Sequence, residues 1–336
     1  MIIFEEQDTM SSSPPETGRA PIGQETSSPS RLPEAGAPSR LQQGLEAGDF
    51  VLTADLLPPK GGGWAGLDAR IGCLRDAVTA VNVADMPSAV LAQSPWAACV
   101  LLLSLGIEPI FQLTCRDRNI LALQADLLAA HALGIRNVLS LTGDHVRMGD
   151  HPGARPVFDA SATDLLVIIA ELNAGRSAAG GSIVGPCHFF SGAATNPTQR
   201  PLEPQLLRTA CKAQAGADYF QTQPVFLLEQ WSSFEAQIRD LGVDTPMLVG
   251  TFLLESPGMA RYMHNKVPGV VIPDAVMAGI EQAKDPRAYG RALVMDLIGS
   301  LRESRAAGVH LMTHNRYEIV AELSAELGMT RRADRQ

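Results

Sequence analysis

The chain of 336 residues carries a formal net charge of −9, with 46% hydrophobic, 19% charged and 5% aromatic residues. At about 100–200 residues per domain this is one large domain or two ordinary ones, with enough apolar side chains for a sizeable core. The acidic balance and the lack of a Lys/Arg stripe exclude a nucleic-acid footprint, and the longest apolar stretch, around Ala97–Leu105, falls far short of the roughly 18–20 residues that cross a bilayer.

The chain opens Met1-Ile2-Ile3-Phe4 and then turns acidic, without the basic-then-apolar order of a secretory signal. Residues 1–48 are rich in Ser, Pro, Gly, Glu and Ala, show no strand or helix period, and read as a disordered tail with a short helix near Leu41–Leu45. From 49 to 330 the pattern is regular. Short β-rich runs occur at Phe50–Leu56, Ala80–Val83, Pro109–Leu113, Asn137–Leu141, Ser182–Pro186, Tyr219–Gln223, Pro246–Phe252 and Val309–Thr313. Amphipathic segments lie between them, at Ile120–Leu133, Ala162–Asn173, Pro204–Ala215 and Leu228–Leu241, with extra helices expected at Pro273–Ile280 and Asp285–Ala306. Strands alternating with helices imply parallel βαβ units. Their number in one series fits a (β/α)8 TIM barrel with extra helices; a doubly wound open sheet is the competitor, because periodicity does not show closure.

Five cysteines, Cys73, Cys99, Cys115, Cys187 and Cys211, are odd in number, far apart and free of any CxxC pair. They read as reduced thiols of a cytoplasmic protein rather than a disulfide framework or a zinc site. No phosphate-loop, dinucleotide, nucleophile-elbow or HExxH motif is present. His310 and His314 are four apart but fall on a strand and the loop after it, which argues against a metal role.

In a parallel barrel the chemistry lies at the C-terminal ends of the strands. There the first run delivers Asp55-Leu56-Leu57-Pro58-Pro59-Lys60, the second Ala84-Asp85, the third Gln112-Leu113-Thr114-Cys115-Arg116, and the fourth Thr142-Gly143-Asp144-His145. The sixth ends Gln221-Thr222-Gln223 and the last continues Thr313-His314-Asn315-Arg316. Asp55 and Asp144 each follow an apolar strand, where burial can raise a carboxyl pKa; helix capping is the plainer role. Gln223 offers an amide donor and acceptor together, suited to a heterocycle edge or to a buried backbone contact.

These same residues resemble the methylenetetrahydrofolate reductase family. The matching pieces are Asp55 to Pro59, Leu113-Thr114-Cys115, Leu141-Thr142-Gly143-Asp144, Ala215-Gly216-Ala217-Asp218 leading to Gln221-Thr222-Gln223, and Gly308-Val309-His310 followed by Asn315-Arg316. The run Thr114–Asn119 and the Gly143-Asp144-His145 ending look like the branch found in acetogenic and related bacteria. The resemblance implies a barrel that binds FAD and a reduced folate. It also implies interconversion of 5,10-methylenetetrahydrofolate and 5-methyltetrahydrofolate in one-carbon metabolism and methionine biosynthesis, with NADH or NADPH as electron donor. By the same resemblance Asp55 matches the catalytic acid, and Asp144 an acid beside flavin and pterin. Gln112, Thr114, Gly143, Asn196 and Lys212 match the flavin pocket, and Gln223 and Arg316 match folate contacts.

Some positions depart from the family. Its acid is normally Glu, one methylene longer than Asp55; Ala84 stands where many members have Thr; and Arg208 and Cys211 differ from the best-known bacterial members. A folate-dependent methyltransferase and a non-redox folate-binding subunit on the same barrel are therefore the alternatives. A homo-oligomer or a partner redox subunit stays open as the assembly.

Overall fold

The computed structural model describes residues 36–64, 66–267 and 269–330. Most of the stretch read as a tail lies outside the described residues. Eight parallel strands close into a barrel: β1 Val51–Leu56, β2 Ala80–Val83, β3 Pro109–Thr114, β4 Asn137–Leu141, β5 Phe190–Thr195, β6 Tyr219–Thr222, β7 Met247–Phe252 and β8 Gly308–Met312, with β8 pairing back onto β1. Around and below it lie α1 Arg40–Glu46, α2 Leu67–Ile71, α3 Pro95–Ser104, α4 Ile120–Ala132, α5 Ala162–Asn173, α6 Glu203–Gln214, α7 Leu228–Asp240, α8 Pro257–Lys266, α9 Asp274–Gln282, α10 Pro286–Arg302 and α11 Tyr317–Glu326. The closed sheet settles the choice left open by periodicity in favour of the (β/α)8 TIM barrel with extra helices.

The fifth strand departs from the sequence pattern. Ser182–Pro186 is not a strand: Val184 is fully exposed, Gly185 takes φ +78°, and only Ser182 makes a bridge, to Arg176. The strand is Phe190-Ser191-Gly192-Ala193-Ala194-Thr195, whose small residues give little β signal. Its composition follows from packing, since a Cβ on Gly192 would come within 2.4 Å of the Tyr219 ring. Helix α8 is likewise invisible to periodicity, although Ser256 caps it by accepting from Met259 N at 3.1 Å and Pro257 opens it.

Helix α1 lies inside the stretch read as a tail, yet it belongs to the barrel. Leu41 and Leu45 are buried against Val51, Ile110, Leu139, Tyr219 and Leu248, the apolar filling of the lower barrel. Ser39 caps the helix by accepting from Gln42 N at 3.0 Å and donates to Asn137 Oδ1 at 2.6 Å. Glu108 accepts from Arg40 N, Leu41 N and Asn137 Nδ2 at 2.6, 2.9 and 2.9 Å. The first-turn N–H groups of α1 are thus satisfied by side chains of the strand ends.

Strand alternation and register sort the inward residues into layers supplied by alternate strands. From Asn82 the even strands give Asn82, Leu139, Gln221 and His310; from Asp55 the odd strands give Asp55, Gln112, Ala194 and Gly250. Below these lie Thr53, Ile110, Gly192 and Leu248. The interior therefore changes from apolar beside α1 to polar at the C-terminal mouth.

Candidate active site

Asp55 sits in the uppermost of these layers, half-buried, with Oδ1 accepting from Thr313 N at 3.1 Å. Burial pushes its pKa above the ordinary aspartate value, against hydrogen bonds and the His314 charge that pull it down. The loop after β8 is held to the loop after β1: Asn315 Oδ1 accepts from Leu57 N at 2.8 Å and Asn315 Nδ2 donates to Leu57 O at 3.0 Å. His314 and Asn315 both have left-handed backbone, φ 53° and 65°, so this clamp holds a strained turn in place. His310 is buried in the barrel, whereas His314 is exposed. His310 points inward, its pKa lowered to about 4 by burial and its Nδ1 3.0 Å from Thr53 Oγ1.

The opposite side of the mouth is made by the loops after β2, β3 and β4. Asp144 Oδ2 accepts from Ser88 N at 2.9 Å, and Asp150 Oδ1 accepts from Leu91 N at 3.0 Å while its other oxygen pairs with Lys60. These carboxylates hold a segment in which Met86, Ser88 and Ala89 all have left-handed φ. Gly143 (φ +88°) brings bare backbone against this wall, for a Cβ there would meet Thr114 and Arg116 side chains at 3.0 Å. Thr114 is committed elsewhere: its N and Oγ1 both donate to Asp85 Oδ2, at 2.9 and 2.8 Å. Arg118 Nη1 completes that buried pair at 2.7 Å from Asp85. Asp85 lies at a strand end like Asp55 and Asp144, but its partners are the last residue of β3 and the loop after it. Only the fold reveals that it fastens two loops together.

Two clefts flank β4 and β5. One, of about 480 Å³, is lined by Thr142, Gly143, His145, Phe158 and the start of α5. The other, of about 390 Å³, is lined by Ala194, Thr195, Asn196, Gln199, Gln205, Gln223 and Gly269. Asn196 at the end of β5 accepts from Thr198 N at 2.9 Å and donates to Gly269 O at 3.0 Å, so it joins the loop after β5 to the one after α8. Lys212 on α6 donates to Ala194 O at 2.7 Å, and burial, aided by the Arg208 charge, lowers its pKa. Gln112 and Gln223 are half-buried at the mouth, Gln112 in the Asp55 layer and Gln223 just beyond β6.

Arg316 lies at the rim. Its Nη1 is 2.9 Å from Glu255 Oε2, and Arg287 Nε stands 3.9 Å from the other carboxylate oxygen. Glu255 follows β7 and carries no sequence signal; its mostly buried carboxylate is what orients Arg316. The structure thus gathers Asp55, Gln112, Asp144, Gly143, Gln223 and Arg316 round one mouth. Thr114, Asn196 and Lys212 form its supporting walls.

Comparison with known proteins bears on this arrangement. The family model described as methylenetetrahydrofolate reductase matches residues 40–328. A probable methylenetetrahydrofolate reductase (NADPH) of Caenorhabditis elegans is 24% identical over 235 residues, covering 67% of this chain and 33% of that protein. Methylenetetrahydrofolate reductase 1 of Schizosaccharomyces pombe is 23% identical over 227 residues, covering 66% of this chain and 36% of its own. The match therefore spans about a third of the length of these curated relatives. Among solved structures, an uncharacterized protein from Clostridium thermocellum that binds two copies of 5-methyl-5,6,7,8-tetrahydrofolic acid superposes with TM-score 0.62 at 15% identity, over 87% of this chain and 98% of that one. DmoA from Hyphomicrobium sulfonivorans superposes with TM-score 0.53 at 9% identity, over 84% and 89%. These two likenesses are of fold. With the family model matching nearly all of the barrel, the chain belongs to the methylenetetrahydrofolate reductase family.

Proposed function

We propose that the protein is a flavin-dependent oxidoreductase that interconverts 5,10-methylenetetrahydrofolate and 5-methyltetrahydrofolate, with NADH or NADPH as electron donor. The observation that carries this reading is Asp55: a carboxyl of raised pKa, held by Thr313 N in the top layer of a barrel mouth. The folate-binding neighbour from Clostridium thermocellum supports a reduced folate as the ligand. One-carbon metabolism in the cytoplasm is the setting this reading implies.

The mouth suits the ring end of a flavin. It offers the Gln112 and Gln223 amides, the Asp144 carboxylate and the bare backbone of Gly143. Arg208 and Lys212 on α6 supply positive charge for the phosphates; the bond to Ala194 O uses one of the three donors of the Lys212 ammonium. When bound, the flavin supplies hydride transfer. The rest is done by the chain itself. The imidazolidine ring of methylenetetrahydrofolate must open before its carbon accepts hydride, and opening needs a proton on the departing nitrogen. Asp55 supplies that proton, and its raised pKa keeps the acid form to higher pH than an ordinary aspartate would. Gln223 pairs with the pterin edge, and Arg316, oriented by Glu255, takes the glutamate carboxylates. The clamp of Asn315 on Leu57 keeps the acid's loop in register with the folate.

The test is an anaerobic visible spectrum of the purified protein, supplemented with FAD, before and after 5-methyltetrahydrofolate. Bleaching of the flavin band is expected. A flavin that binds and ignores the folate, or a protein that takes up no flavin, would overturn the flavin-dependent reading.

A further inference from the structure

The layer directly beneath Asp55 contains more hydrogen-bonding capacity than the protein uses. Asn82 Nδ2 donates to Gln221 Oε1 at 2.6 Å and lies 3.2 Å from His310 Nε2. The same network reaches Thr53 through His310 Nδ1. Yet Asn82 Oδ1 and Gln221 Nε2 are buried without a hydrogen-bond partner among the described residues, and so is Thr313 Oγ1. Asn82, Gln221 and Thr313 are 0, 3 and 3% exposed.

Reassigning the amides does not remove the problem. Exchanging N and O on both Asn82 and Gln221 keeps their mutual bond and still leaves one donor and one acceptor over. Leaving a buried polar group unsatisfied costs about 1–3 kcal/mol, and native interiors meet such groups with ordered water. A water is donor and acceptor at once, so it satisfies either amide assignment.

The two unused amide atoms belong to the layer beneath Asp55. Asn82 is its register partner on β2, with both side chains facing the interior; Gln221 is bonded to Asn82; and Thr313 donates its own N–H to Asp55 Oδ1. We infer that Asn82 and Gln221 form a built site for an ordered water that hydrogen-bonds the Asp55 carboxyl from inside the barrel, on the side away from the substrate. Asn82 and Gln221 are then positioning residues for the acid, and the catalytic part of this inference rests on the reading of Asp55 given above. The water stabilises the charged carboxylate and so limits how far burial weakens the acid.

Two measurements on the full-length protein test this without requiring turnover. A high-resolution crystal structure of the ligand-free protein should contain a water bonded to both the Asn82 and Gln221 amides, and Asn82→Leu, of similar size, should lack it. A dry contact in the wild-type protein would overturn the inference. Titration of the 13C-labelled Asp55 carboxyl should show its midpoint about one pH unit higher in Asn82→Leu, the loss of a charge-assisted hydrogen bond worth about 1.4 kcal/mol. Asn82→Ser, which keeps a hydroxyl and opens space for water, should return the midpoint. Of the titratable groups nearby, His314 and Tyr317 are untouched in both variants, whereas His310 loses its Asn82 contact in both, so a shift that Asn82→Ser reverses does not come from His310. An unmoved midpoint in Asn82→Leu would overturn the proposal. The alkaline limb of folate turnover should move with the midpoint. A water-bearing protein that does not turn over folate would refute the function and leave the water site standing.

Discussion

The two ends of the barrel each hold a carboxyl whose pKa is raised by burial: Glu108 near the N-terminal end and Asp55 at the mouth. Glu108 accepts three hydrogen bonds: those from Arg40 N and Leu41 N fasten α1 to the barrel floor, and that from Asn137 Nδ2 ties Glu108 to β4. Asp55 accepts from Thr313 N, and the layer beneath it holds amide atoms of Asn82 and Gln221 without a partner among the described residues. A perturbed pKa alone therefore does not mark a catalytic group. What separates the two is whether the neighbouring donors and acceptors are already used by the fold.

Substitutions at the two ends should separate chemistry from stability. The largest effect is expected for Asp55→Asn. Folate turnover should fall by about 100- to 10,000-fold, the usual worth of a general acid, while reduction by NAD(P)H and thermal stability stay close to wild type. Comparable losses in both half-reactions would remove the contrast. Asn315→Gly keeps the left-handed backbone but removes both bonds to Leu57; stopped-flow measurement should find folate turnover reduced by up to about 100-fold, as for a misplacement near 1 Å. Glu108→Gln should do the reverse of Asp55→Asn. Denaturant unfolding should register a loss of about 1–3 kcal/mol with kcat retained, because a capping acceptor has been weakened.

The pH dependence has a definite sign. A carboxyl whose folded pKa is raised binds its proton more tightly in the native state. Stability from Asp55 and Glu108 is therefore greatest at low pH and declines as pH rises from the ordinary values of 3.8 and 4.5 through the raised ones. Calorimetry across that window should find the decline shallower in either amide variant. The smallest effect is expected at the rim. Glu255→Gln weakens the ion pair that orients Arg316, whose side chain is 42% exposed, and folate KM should rise by no more than about fivefold, the worth of a partly exposed ion pair. A fall in KM would instead mean that Glu255 competes with the folate tail for Arg316.

The fold was legible where strands are apolar and bounded by turn residues, as at β1, β3, β4 and β7. It was illegible at β5, where the packing of Tyr219 over Gly192 demands small residues and so erases the strand signal. Helix α1 was visible as a helix, but its place under the barrel depends on Glu108 and Asn137, distant in sequence. At the mouth, Asp55 and Asp144 could be picked out because each follows an apolar run. Asp85 and Glu255 could not be assigned roles, because their partners Thr114, Arg118 and Arg316 come from other strand ends and loops. The polar layer did leave a trace: Asn82, Gln221 and His310 interrupt apolar strands at inward positions, a pattern that gains meaning only once the register is known.

The most direct test of the account is product formation from 5,10-methylenetetrahydrofolate by the wild-type protein and Asp55→Asn, each supplied with FAD and either NADH or NADPH. The account predicts 5-methyltetrahydrofolate from the wild type with at least one donor, and a loss of about 100-fold or more in the variant. No product from the wild type with either donor, or equal rates from the two proteins, would contradict it.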